Sequence, residues 1–321
     1  MELILDSVLE NVDNLSRLGN LSIVKPHSMF LKNISENIML IQRQIRSMPV
    51  EINANFKKVT RFPGQTFSCG VSISDSMVIC GNYSSSSIVS IDLVTETIKY
   101  RDEYSNAAVR ITVNRQRNKI YVQCRNGNIQ RYHFDLSGGF NHELILNFKR
   151  LHLGGITLFE NDIYTIVENT IRKFSADANT KSINDMVTCF ITNTNCSDGV
   201  LKGLAIDPKN KRLIYTSKDK EIICTTLHGK HLFCVQDTTI IRNPTSVTVH
   251  SSGIILVGSE TGSVHVITSD GKNHWTLIEK CQNIKRLSDI WLDQKEQTLC
   301  LCGDEYVEMY DFSIEELRDM E

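Results

Sequence analysis

No stretch of this chain comes near the roughly 18 consecutive apolar residues that a membrane-spanning helix requires. A secretory leader is not expected either. It would need a basic start, an unbroken apolar run and a small-residue cleavage site; the opening MELILDSVLENV instead carries Glu2, Asp6 and Glu10. None of the 10 cysteines forms a Cys-x-x-Cys pair, which excludes the paired thiolates of common zinc modules. The cysteines sit singly in apolar runs, as at Cys80, Cys124, Cys224 and Cys234, the pattern of reduced, buried thiols in a cytoplasmic protein. Charge of one sign is not in excess either. With 35 basic and 37 acidic side chains the net charge is −2, which argues against an overtly basic nucleic-acid binder but leaves room for a local basic patch. There is no G-x-S-x-G elbow, no G-x-G-x-x-G and no phosphate-binding loop.

What the chain does contain is a repeat. Six segments share a small or polar residue, an apolar one, a third residue and a second apolar one: 70–73, 110–113, 155–158, 203–206, 246–249 and 289–292. Their last residues are 40 to 48 positions apart, close to the ~40–45-residue period of a four-stranded propeller blade. A polar turn follows most of them, as at Asp207-Pro208-Lys209-Asn210. Then come a second β-rich run, a loop of Gly, Asn or Ser, and a third strand. Short β-branched runs between turn signals read as antiparallel strands joined by hairpins. The pattern predicts an all-β, six-bladed β-propeller over residues 67–313. The last unit has no fourth strand of its own, since Asp311-Phe312 leads into an acidic tail at 314–321. A spare candidate, Phe56-Lys57-Lys58-Val59-Thr60, lies in the linker 50–66 and is expected to complete the last blade, closing the ring so that no sheet edge stays open.

Residues 1–49 carry two heptad-like runs: Met1, Leu5, Val8, Val12 and Leu15, then Leu31, Ile34, Ile38, Ile41, Ile45 and Met48. Each spans about two heptads, short of the ~3–4 that define a coiled coil. Two readings stay open: amphipathic helices packed locally, or the end of a coiled coil through which the chain forms a homodimer.

The segments GLAIDPKNKRLIYTSKDKEIICTTLHGK and SVTVHSSGIILVGSETGSVHVITSDGK, preceded by MFLKNISENIMLIQRQI, carry a resemblance. Helical stretch, short linker and six degenerate blades together resemble the C-terminal half of TRIM–NHL proteins, most closely the invertebrate and molluscan sets. The resemblance implies an NHL-repeat propeller that selects substrates for ubiquitination or, in some members, binds single-stranded RNA. That family's ligase activity belongs to RING and B-box zinc modules, which this chain lacks. It is therefore expected to be a fragment or a relative without ligase activity, and not an enzyme.

Propeller hydrolases hold calcium in the central tunnel with several carboxylates and amides. The inner segments here offer Asp289 as their one carboxylate, so a hydrolase is the weakest reading and neither metal nor cofactor is expected. Cys300 and Cys302 share one face of a strand but do not fill a zinc shell, and His228-Gly229-Lys230-His231 reads as a solvated turn. Binding is expected on the face where the blade-to-blade and second-to-third-strand loops crowd, because loops on a rigid ring commonly carry function. On that face the candidate residues are Arg101, Arg125, Lys149, Lys218, Lys220, Arg242 and Lys285. Acids are interleaved, and Tyr83 and Tyr306 are the only clear loop aromatics there. Base stacking wants more aromatics and denser Lys and Arg. Protein partners are thus the leading reading and single-stranded RNA the alternative.

Overall fold

A computed structural model describes residues 50–103, 107–114, 116, 118–134, 140–148, 153–168, 170–176, 189–192, 201–217, 221–236 and 241–316. The chain divides into two compact units, 52–313 and 1–51 with 314–321. The two heptad-like runs of 1–49 lie outside the described residues.

Residues 52–313 form the ring. Sheet 1 comprises β2 (Phe67–Ser72), β3 (Met77–Asn82), β4 (Ser87–Asp92) and β5 (Thr97–Asp102); sheet 2 comprises β6 (Ala108–Asn114), β7 (Lys119–Cys124), β8 (Asn128–Phe134) and β9 (Phe140–Asn147). In sheet 3 the strands are β10 (Leu153–Phe159), β11 (Asp162–Val167), β12 (Thr170–Ser175) and β13 (Cys189–Thr192). Sheet 4 holds β14 (Leu201–Asp207), β15 (Arg212–Ser217), β16 (Glu221–Thr226) and β17 (His231–Gln236). In sheet 5 they are β18 (Pro244–Val249), β19 (Ile255–Ser259), β20 (Val264–Ile267) and β21 (His274–Ile278). Sheet 6 has β22 (Asp289–Leu292), β23 (Thr298–Gly303) and β24 (Tyr306–Glu316), with β1 (Val50–Arg61) outermost. The strand that sheet 6 lacks in its own repeat is thus supplied from before sheet 1. Phe56 packs edge-on against Tyr310, and Lys57 pairs with Asp311 at 2.7 Å. β24 runs on to Glu316, past the Asp311-Phe312 point where the sequence suggested that the strand ends. Phe312 is buried and lies against His250, which holds the chain in the sheet.

The first strands of the six sheets touch in cyclic order, β2 on β6, β6 on β10, β10 on β14, β14 on β18, β18 on β22 and β22 back on β2. This is a six-bladed propeller. Second strands such as β15 and β19 are buried along their whole length, whereas fourth strands such as β5 and β17 are mostly exposed. Strands covered on both faces need unbroken apolar runs, which explains why β19 reads Ile-Leu-Val-Gly-Ser and β15 Arg-Leu-Ile-Tyr-Thr-Ser. Each apolar cluster lies between successive sheets: Ile79, Ile111 and Val122 between sheets 1 and 2, and Val78, Trp291 and Cys302 between sheets 6 and 1. Fully burying one such side chain contributes about 1.5–3 kcal/mol.

The small first residue of the repeat has a steric cause. A β-carbon on Gly70 would overlap the Trp291 ring of the neighbouring sheet, and one on Gly155 would overlap the backbone of Leu204. Polar bonds also cross between sheets. Trp291 Nε1 donates to Ser72 Oγ at 2.9 Å, and Gln123 Nε2 donates to Thr165 Oγ1 at 2.8 Å.

Candidate binding site at the channel mouth

All six repeat segments line the central channel, a cavity of about 250 Å³. Four of them put a glycine or serine at the first position: Gly70, Gly155, Gly203 and Ser246. The other two put charges there, Arg110 and Asp289. Asp289 is buried, with Oδ2 accepting the Gly70 N–H at 3.3 Å and Oδ1 the Ile290 N–H at 3.0 Å. Burial pushes its carboxyl up to about 6, and nearby Arg110 partly opposes that shift.

Arg110 reaches across the ring. Its Nη1 donates to Val109 O at 2.9 Å and to Ser68 O at 3.1 Å, and its Nη2 donates to Thr245 O at 2.9 Å. Ser68 belongs to sheet 1 and Thr245 to sheet 5, so one guanidinium ties three blades together. The backbone around it is irregular. The pairing of first and second strands slips beside Ser68, Val109 and Thr245, bulges of the kind that turn a strand near a barrel rim.

On the loop side of Arg110 lies a second cavity of about 480 Å³, lined by residues of sheets 1, 2, 4, 5 and 6. Tyr83, Lys202, Glu260, Arg286 and Asp304 stand around it, with Arg110 lining both this cavity and the channel. Arg286 pairs with Glu260 at 2.7 Å. Asp304 Oδ2 accepts the backbone N–H groups of Lys285 at 3.0 Å and Arg286 at 3.1 Å. A neighbouring hollow is lined by Gln65, Lys285, Glu305 and Tyr306.

Of the expected site residues, Arg125 lies over the Tyr83 ring, 5.2 Å from its centroid, and donates a hydrogen bond to the Tyr83 hydroxyl. Arg101 pairs with Val89 near the end of strand β5 and is not in a loop; it still reaches this face, donating to Gln65 Oε1 at 3.0 Å. Lys285 is exposed beside the neighbouring hollow. Arg242 is exposed, and its carbonyl accepts a hydrogen bond from Ser259 Oγ. Lys149, Lys218 and Lys220 lie outside the described residues. A second arginine–aromatic pair joins Arg61 to Tyr306 at 5.9 Å, with Arg61 also bonded to Glu305 at 2.7 Å. Sequence reading missed Arg110, although it is the one basic residue within the six repeat segments. A charge where neighbouring sheets demand small residues was the available signal.

Cys80, Cys300 and Cys302 are buried together between sheets 6 and 1, and burial pushes the Cys300 thiol up to about 12. Among the described residues, no group of three or more His, Cys, Asp or Glu is placed to hold a metal ion. Nor is any helix among them long and apolar enough to cross a membrane.

No protein-family model and no curated protein matches the chain. Among solved structures, the crystal structure of the RRP9 WD40 repeats matches with a TM-score of 0.61, covering 82% of this chain and 100% of that one at 10% sequence identity. A likeness at this identity shows the fold alone, an all-β six-bladed ring of WD40-like architecture. In all, 1754 chains of solved structures match, so the likeness selects no ligand by itself.

Proposed function

We propose that this chain is a non-catalytic binding platform that docks protein partners on its loop face, around the mouth above Arg110. The observation that carries this reading is the mouth itself, a basin edged by charged side chains on a rigid ring to which five of the six sheets contribute. Rigid rings lose little conformational freedom on binding, and charged loop side chains at a rim select partners and steer encounter. WD40-type propellers commonly serve as interaction platforms, and the neighbour found here is of that type. Asp289 supports the non-catalytic reading, since both its oxygens are already engaged by backbone N–H groups. The finer reading is a cytoplasmic substrate-recognition propeller like that of TRIM–NHL ligases, acting as an adaptor in ubiquitination. It rests on the repeat segments and the lead-in quoted above.

Single-stranded RNA is the second reading, favoured by the exposed Tyr83–Arg125 pair, because arginine and aromatic faces stack on bases. One comparison separates the two. The parent chain and a double variant, Arg125→Glu with Arg286→Glu, are tested for crosslinked protein partners and for binding to a random RNA pool at low and physiological salt. Partners lost in the variant, with no RNA binding at low salt, support the platform. Tight RNA binding with a steep salt slope would put RNA first. Partners retained at full strength by the variant would move docking off this face.

A further inference from the structure

We propose that the mouth cavity is a receptor for a single acidic side chain, an Asp or Glu that a docked protein inserts to meet Arg110. This deepens the platform reading and rests on it. A guanidinium carries five N–H donors in a rigid fork. Arg110 commits three of them, and all three end on backbone carbonyls, those of Ser68, Val109 and Thr245. The Nε–H and one Nη2–H make no hydrogen bond among the described residues. These two donors are left to meet the oxygens of a carboxylate. Carbonyl oxygens satisfy donors but do not cancel charge, and no carboxylate among the described residues lies within ion-pair distance of Arg110.

The charges on its two sides differ. The channel side carries Asp289, Asp293 and Glu296, which repel an incoming anion. The mouth side carries Lys202 and Arg286 against Glu260 and Asp304. With Arg110 counted on both sides, the mouth lining holds three cations to two acids and the channel lining one cation to three acids, so the balance of charge favours entry of an anion from the loop face. A cavity of about 480 Å³ admits an acidic side chain with part of the loop that bears it. Glu260 and Asp304 on its wall disfavour a polyanionic backbone, which favours one carboxylate over a nucleic-acid strand.

The test is fluorescence anisotropy of the full chain with three labelled probes: an end-capped decapeptide of alternating glutamate and glycine, its glutamine counterpart, and a ten-nucleotide oligouridine. The glutamate peptide is expected to bind saturably below about 1 mM, the weak end of specific affinities. The glutamine peptide should bind about ten-fold more weakly, as befits loss of a charge-assisted contact. Arg110→Lys keeps the charge but not the fork and should lose about the same factor, with a melting curve run beside it. Should that variant unfold, Lys202→Gln takes its place and should weaken the glutamate peptide alone. Equal binding of the two peptides, no saturation by the glutamate peptide, tighter binding of oligouridine, or indifference to the substitutions each overturns the assignment. A chain that ignores the glutamate peptide yet loses its protein partners in the Arg125→Glu, Arg286→Glu variant remains a platform without this receptor.

Discussion

Asp289 shows at the residue scale how one off-pattern side chain sets a property of the fold. Burial holds its carboxyl at about 6, above the ordinary 3.8, while Arg110 and the N–H groups of Gly70 and Ile290 pull the other way. Protonation is thus easier in the folded state than in the unfolded chain. Its contribution to stability is complete below the unfolded value and is lost as pH rises through about 6. Asp289→Asn keeps an acceptor for the Gly70 N–H and removes the titration. At pH 8 the variant should be more stable than the parent by on the order of 2–3 kcal/mol, with the gap closing toward pH 4. Calorimetry across that range checks this, and parallel melting curves at every pH would sink it. The alternation of small and apolar residues made the six channel segments legible in the sequence, and Arg110 and Asp289 were visible there as exceptions. Their proximity was not. It depends on a ring that places residues 179 positions apart on one channel.

At the scale of elements, strands were more legible than the connections that shape the mouth. A strand advertises itself locally through period-two or unbroken apolar patterning, and β7, β15 and β19 all fall where such runs occur. The connection before β22 has no such signal, because its shape is dictated by a partner in a later strand. Glu308 of β24 is fully buried. Its carboxylate accepts backbone N–H groups from Gln282 at 3.1 Å, Ile284 at 3.1 Å and Asn283, and the Tyr310 hydroxyl at 2.8 Å. One carboxylate thus fixes the segment that leads to Lys285 and Arg286 at the rim. Glu308→Gln has one acceptor oxygen where the parent has two, and turns an amide N–H₂ toward other donors. It should cost about 1.5–3 kcal/mol and speed amide exchange at 282–284, read by hydrogen-exchange mass spectrometry. Unchanged exchange there would show that the connection holds itself. Arg125 and Tyr83 illustrate the same lesson from the other side. Each was legible as a loop residue, while their stacking depends on how sheets 1 and 2 are juxtaposed.

For the whole molecule, the decisive feature is that sheet 6 draws β1 from one end of the propeller and β22 to β24 from the other. Lys58 adds a tie to sheet 1, donating to Leu93 O at 2.7 Å and pairing with Glu96 at 2.6 Å. A chain lacking residues 51–66 would leave the edge of β24 open, and it should unfold at markedly lower urea concentration and associate with itself through that edge. A melting profile like that of the parent would mean that the ring is held without its outer strand. The same topology sets a schedule for biosynthesis. β1 leaves the ribosome long before its partner exists, since some 245 residues separate Arg61 from Tyr306. At ordinary elongation rates that is roughly 10–50 s. During that interval the nascent chain carries an unmated strand and a growing, unclosed arc behind it. The last blade to be translated is also the clasp, so the ring cannot close before β24 has emerged, and chaperone demand is greatest just before that moment.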